Sequence, residues 1–264
     1  MQGLTLILNA LEGRLQIVLM EGSDCLCAQD WTAPRRGTEL LAPALERIFS
    51  GLRLRVSRLE RIACVHGPGS FTGVRLVLST AAALARASGA LLAGLDYMQA
   101  LALGVTAFMA DRNGAAQRIW VLTHARRDVA HVQVFAPGRD DDALPRAVSE
   151  LELLSPQHCL QRMGEQAQGG MRLWALGSAL ARHEEFAALP VSLVSCMPAR
   201  FWKPLPEALL LLAQRASYSH RDIDPLYVQP CDAVANLENI ATRRGENPTA
   251  AKARLESLLA TPPE

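Results

Sequence analysis

The chain opens with apolar positions spaced for strands and passes to apolar positions spaced for helices. Leu4 to Leu8 is a compact β-like run, Gly13 to Met20 alternates well enough for a second strand, and Ser23 to Asp30 supplies a third after the Glu21-Gly22 turn. Thr38 to Gly51 then switches to helical spacing, with Leu41, Leu45, Ile48 and Phe49 on one side and Gly37 or Thr38 available as a cap. Ile62 to Val65 is a short apolar run of the buried-strand kind. From Val74 onward Leu78, Ala81 and Ala85 recur at helical intervals, widened by Ala82, Leu84 and Ala87, until Gly89 ends the helix and Leu91 to Gly94 begins another strand. A strand–helix–strand unit of this length predicts a parallel pair. Asp96 caps a further helix to Ala107, and a loop signal at Asp111 to Gly114 places a boundary near 104–117.

The second half begins as the first does. Arg118 to Leu122 and Val129 to Phe135 form a predicted hairpin, Ser155-Pro156 starts a helix, and Leu173 to Ala179 reads as strand, turn and helix start. Pro204 to Ala216 is a leucine-rich helix. Beyond Asp232 the chain turns polar, with Pro248 to Ala260 carrying Ala251, Leu255, Leu258 and Leu259 at helical spacing before Pro262-Pro263. The pattern leaves open whether this tail docks on its own chain, on a partner, or on neither.

The strongest local signal lies between Val65 and Val74. His66 is followed by Gly67-Pro68-Gly69-Ser70-Phe71-Thr72-Gly73, where two glycines permit positive φ, Pro68 offers no backbone donor, and Ser70 or Thr72 can cap the helix. The run is not G-x-G-x-x-G, because its third glycine falls one residue late, and no Gly-Lys-Ser/Thr follows. A tight structural turn formed by Gly67, Pro68, Gly69, Ser70, Thr72 and Gly73 is favoured over a phosphate cradle.

Gly67 to Arg75, with the alanine-rich helix and the Gly94-Leu95-Asp96 turn behind it, resembles the hallmark of the bacterial TsaB (YeaZ) family. That family supplies the dimerisation subunit of the machinery making threonylcarbamoyl-adenosine in tRNA. The match is close over Ile62 to Leu103, weaker over Met1 to Leu59 and Gly104 to Gln229, and absent from the last thirty or so residues. The resemblance implies an α/β protein of the actin-like ATPase or ribonuclease-H-like fold, with two tandem mixed-sheet subdomains and flanking helices. They would occupy 1–106 and 107–231, with a tail at 232–264. It further implies a partner face built from Leu41, Leu45, Ile48, Phe71, Val74, Arg75, Leu78, Ala81, Ala82 and Ala85. The implied partners are a TsaD-type catalytic subunit and a TsaE-type ATPase. Alone, the chain would form a homodimer, and tRNA would be reached only through the complex.

Several family positions differ here. Where the family reads Ile-Asp-Thr-Ser after the first strand, this chain has Leu8-Asn9-Ala10-Leu11, and a neutral amide is a poor ligand for a hard divalent cation. His124 stands at the family's aspartate before the second hairpin turn, and Leu173 to Ala179, where the family often shows Gly-Asp-Gly-Ala, lacks a second expected aspartate. Gly37-Thr38-Glu39 stands for His-Ser-Glu, and Gln229 for a closing arginine. These changes speak against the alternative of an ATP-dependent small-molecule kinase. A glycoprotease-like peptidase finds only His66 beside Ser70 and Thr72, with no recognisable acid to orient it. No catalytic residue, metal site or cofactor is expected.

Composition narrows the picture a little more. The 264 residues carry a formal charge of +1, so no broad basic footprint for nucleic acid is present, and the Arg53, Arg55, Arg58, Arg61 cluster reads as a solvated edge. Six scattered cysteines hold a single C-x-C pair, Cys25 and Cys27, which completes no zinc site, and Asp140-Asp141-Asp142 reads as an exposed loop. No apolar run reaches membrane-spanning length and no basic leader precedes the first strand, so a cytoplasmic protein is expected.

Overall fold

The computed structural model describes residues 3–33, 35–106, 108–109, 116–138, 144–190, 192–228 and 237–260. The expectations placed on Asp111 to Gly114, Asp140 to Asp142, Gln229, Cys231 and Pro262-Pro263 lie outside those residues. The chain divides into two units, Met1–Leu226 and Tyr227–Glu264.

The first unit begins with β1 (Leu4–Asn9), β2 (Arg14–Glu21), β3 (Asp24–Thr32) and α1 (Gly37–Gly51). It continues through β4 (Leu59–Gly67), α2 (Phe71–Ser88), β5 (Leu91–Asp96) and α3 (Tyr97–Thr106). Then come β6 (Gln117–Arg126), β7 (Val129–Ala136), β8 (Arg146–Ala147), β9 (Glu152–Leu154) and α4 (Pro156–Gln168). It closes with β10 (Arg172–Leu176), α5 (Ala179–Arg182), β11 (Val194–Cys196) and α6 (Pro206–Arg215).

The first sheet has the order β3-β2-β1-β4-β5, antiparallel across β3, β2 and β1 and parallel across β1, β4 and β5. The second runs β11-β10-β6-β7-β8, with β9 also on β7, and repeats the same scheme about β6. All strands of the first sheet precede residue 106 and all strands of the second follow it.

Period-two alternation assigns the two faces of each sheet to different cores. Leu4, Leu6 and Leu8 of β1 face a core shared with Leu41, Leu45 and Ile48 of α1 and with Val77 and Ala81 of α2. Ile7, on the opposite face, joins Met98, Leu101 and Val105 of α3, Leu209 of α6, and Ile119 and Val121 of β6. Trp120 and Leu122, on the far face of β6, pack with Cys159 and Met163 of α4. The helices α3 and α6 therefore fill the space between the sheets, while α1 with α2 and α4 cover the outer faces.

Local chemistry sets the helix ends. Ser70 caps α2 by accepting the Gly73 N–H at 3.2 Å, and Gly89 closes it in the left-handed conformation. Asp96 Oδ1 accepts the Gln99 N–H at 2.7 Å, and Ser155 caps α4 with Pro156 in its first turn. At the start of α1 the residue before Gly37 is Arg36, with no side-chain cap, so neither Gly37 nor Thr38 plays that part. The second unit holds α7 (Leu237–Arg243) and α8 (Pro248–Ala260), joined through Gly245 at φ 73° and capped by Asn247 Oδ1, which accepts from Thr249 and Ala250.

Two glycines test this account in opposite directions. Gly177 has φ 120° and a Cβ there would lie 2.2 Å from the Leu122 carbonyl oxygen, so Gly177→Ala should cost about 3 kcal/mol or more. Gly164 lies inside α4 with nothing within 4 Å of the corresponding point, so Gly164→Ala should gain roughly 0.5–1 kcal/mol. Urea denaturation midpoints of the two variants check both signs.

Candidate functional site

The glycines of the turn are packed against protein. A Cβ on Gly73 would sit 1.9 Å from the Ala10 carbonyl oxygen, one on Gly69 would be 2.9 Å from Leu11 Cδ2, and one on Gly67, at φ 133°, would be 2.5 Å from the Leu226 carbonyl oxygen. Asn9 is buried, donates to Gln16 Oε1 at 2.7 Å and accepts the Leu11 N–H at 3.1 Å, while Gln16 donates onward to the Pro204 carbonyl. The turn after β1 is thus folded on itself and capped by the fully buried Leu11. Its glycines give α2 a close approach to β1, which is the structural reading of the motif.

His66 leaves β4 with its Nδ1 2.9 Å from the Asp224 carbonyl, and its own carbonyl accepts the Leu226 N–H at 2.8 Å. The acid that the sequence lacked is Asp96, set opposite Gly67 in the β4–β5 register. Burial pushes the Asp96 carboxyl up, while the Gln99 and Met98 N–H groups and nearby His66 draw it down. Ser70 Oγ is engaged as the α2 cap, accepting the Gly73 N–H.

The expected partner face divides in two. Leu41, Leu45, Ile48, Val74 and Ala81 are buried in the chain's own cores, because each lies on the inward side of α1 or α2. That half of the expectation is corrected: these side chains are already covered. Ala85 is half-buried and packs against the same core as Ala81. Phe71, Arg75, Leu78 and Ala82 instead line a groove of about 650 Å³ with Thr38, Ser79, Asp222, Ile223 and Pro225. Phe71 is 39% exposed, and the Arg75 guanidinium lies over its ring at 3.7 Å from the centroid. The opposite wall is tied to α2 by the Arg86–Asp222 ion pair at 2.8 Å.

A second polar group gathers where the two halves meet, and sequence reasoning missed its first member. Glu12, in the turn from β1 to β2, has its carboxyl pushed up by burial, with Ser178 and Arg182 drawing it part of the way back. Ser178 Oγ also accepts the His124 N–H at 2.9 Å, and His124 Nδ1 stands 3.3 Å from His183 Nε2. Burial, with His183 and Arg182 nearby, lowers the His124 pKa. His131 is held down to about 4 by burial and by His124. Among the described residues no three His, Cys, Asp or Glu side chains gather as a metal site, and no helix is long and apolar enough to cross a membrane.

Two sheets of the same strand order, each with its helices outside and a shared helical layer between, define the duplicated ribonuclease-H-like architecture of the actin-like ATPase fold. Within it, residues 32–159 match the family described as TsaD, tRNA N6-adenosine threonylcarbamoyltransferase. Two solved structures from Pseudomonas aeruginosa superpose on it. YeaZ does so at 18% identity and a TM-score of 0.66; an uncharacterized protein with similarity to peptidase YeaZ does so at 19% and 0.65. Each comparison covers 86% of this chain and 100% of the other. No curated protein matches. The resemblance to the TsaB (YeaZ) family carried by Gly67 to Arg75 accordingly stands in both comparisons.

The lowered His131 value has a definite sign. Its neutral form is the native one, so its contribution is complete above the ordinary value near 6.5 and is lost as pH falls through the window from 6.5 to 4. Over that window it should steepen acid destabilisation by at most about 1.4 kcal/mol per pH unit, and His131→Gln should flatten the slope. Urea unfolding of both proteins at pH 7, 6 and 5 measures the difference.

Proposed function

We propose that this chain is a non-catalytic scaffold subunit in the transfer of threonylcarbamoyl to the tRNA adenosine 3′ of the anticodon. It would dock a TsaD-type catalytic subunit on the outer face of α2. The observation that carries the reading is the placement of Phe71, Arg75, Leu78 and Ala82 on successive turns facing one groove, in a chain whose residues 32–159 match the TsaD family. An apolar stripe of this kind suits a helix laid along it. A TsaE-type ATPase would be the third member, tRNA would be reached through the assembled complex, and without its partner the same face would pair two copies of this chain.

The side chains around the glycine turn are engaged within the fold. Asn9 is engaged with Gln16, Leu11 covers the glycine turn, and Ser70 is a helix cap. Docking would stabilise the catalytic subunit in its working conformation through buried apolar area, to which Phe71 would contribute about 1.5–3 kcal/mol.

The test is co-elution with the TsaD-type protein of the same organism, followed by tRNA modification with and without this chain. Phe71→Ala should weaken the complex roughly 10–100-fold, the equivalent of that apolar area. Ala82→Arg should abolish co-elution while leaving the melting temperature of the isolated chain in place. Ala81→Arg, one residue away but fully buried, should instead unfold the chain. Unchanged co-elution of the Ala82→Arg protein overturns the reading.

A further inference from the structure

Residues 219–226 run as a strap from the free edge of β5 to the end of β4, and both of its ends are held by backbone hydrogen bonds. At the first end the Leu92 N–H donates to the Ser219 carbonyl at 2.7 Å, and the Ser219 N–H donates back to the Leu92 carbonyl at 2.9 Å. At the last end the Leu226 N–H donates to the His66 carbonyl at 2.8 Å. Glycine makes the approach possible at two places. A Cβ on Gly67 would stand 2.5 Å from the Leu226 carbonyl oxygen, and one on Gly94 would stand 3.1 Å from Ile223 Cγ2. Two of the glycines in the hallmark stretch therefore lie directly against the strap.

Between its ends the strap carries Asp222, Ile223 and Pro225, which line the α2 groove together with Phe71 and Arg75. It has no helix or strand of its own, so these few contacts set its place. The Arg86–Asp222 ion pair joins it to α2, but both side chains are exposed, where such pairs contribute little. Ile223 packs against the core beneath α1 and α2. The remaining hold is at Asp224, the residue between the two wall residues Ile223 and Pro225. His66 Nδ1–H donates to the Asp224 carbonyl at 2.9 Å, since a carbonyl oxygen only accepts.

We propose that His66 is a positioning residue of the docking surface. By holding the Asp224 carbonyl it fixes Ile223 and Pro225 at the distance from α2 that admits a helix of the TsaD-type subunit. This inference rests on the docking of that subunit in the α2 groove. The partner is then gripped between the helix that carries the hallmark motif and a strap drawn from the far end of the first unit. His66 acts on the partner only through the strap. A histidine that merely braced β4 would alter stability and leave the affinity of the folded chain in place.

The test titrates the full chain and its variants with the TsaD-type protein of the same organism, and reads hydrogen exchange at the Leu226 amide in the chain alone. His66→Ala should speed that exchange and weaken the complex roughly tenfold, the worth of about one hydrogen bond. His66→Asn places an amide donor near the Nδ1 position and should restore both readouts. Gly94→Ile disturbs the strap from beneath, by crowding Ile223, and should also weaken the complex about tenfold or more. Unaltered affinity of His66→Ala, unaltered exchange at Leu226, or a His66→Asn protein no better than His66→Ala overturns the proposal. Should His66→Ala fail to fold, unaltered affinity of Gly94→Ile overturns it. Ala82→Arg in the same titration separates the two readings. If Ala82→Arg abolishes binding while His66→Ala leaves it unchanged, docking stands and the part given to His66 falls. If Ala82→Arg binds normally, docking falls and this inference falls with it.

Discussion

α2 approaches the turn after β1 so closely that Gly73 leaves no room for even a methyl group against the Ala10 carbonyl. This single contact sets the roll of the helix about its own axis. With Gly73 held against β1, Val74, Val77 and Ala81 point inward, Phe71, Arg75 and Ala82 come round to the groove, and half-buried Leu78 lines the groove while packing against the cores. A helix of fixed pitch allows no independent choice of the two faces. The motif thus defines an outward surface by deciding which side of α2 is buried, without itself touching anything that binds there.

The same packing explains why a nucleotide-like signature carries no nucleotide chemistry at this turn. In a phosphate cradle, glycines bring backbone N–H groups up to a ligand. Here they bring backbone up to backbone: Gly67 to Leu226, Gly73 to Ala10, with Leu11 filling the space over Gly69. Further polar connections then tie distant parts of the chain to the same sheet. Gln16 donates to the Pro204 carbonyl, and Asp30 joins Arg14 to Lys203. These bonds link the first sheet to the segment that leads into α6, so the apolar layer between the sheets is closed by hydrogen bonds at its margin.

Much of this was legible in the residues, and the reason is periodicity. Alternation in β1 and β6 and the 3.6-residue spacing in α1, α2 and α4 report burial directly, so the strands, the helices and the repeated strand order followed from pattern and resemblance together. Periodicity also misled. Val74, Leu78, Ala81 and Ala85 look like one stripe, yet Val74 and Ala81 belong to the inward side, and a sequence does not say which neighbour covers an apolar face. Asp96 beside His66 was hidden because their proximity comes from a β-ladder register between strands some thirty residues apart. Glu12 was hidden for a stronger reason, since its partners Ser178 and Arg182 lie in the other half of the chain. Its one local clue was an acidic residue before glycine in a hairpin turn.

The two turns that face each other across the halves carry different polar chemistry. The first has exchanged its expected aspartate for Asn9, which is satisfied within its own hairpin, and carries its acid three residues later on Glu12. The second has His124 where an aspartate was expected, and its N–H is taken by Ser178 Oγ. A carboxylate bonded to a hydroxyl beside a guanidinium holds two halves together; two carboxylates facing each other without a cation would push them apart.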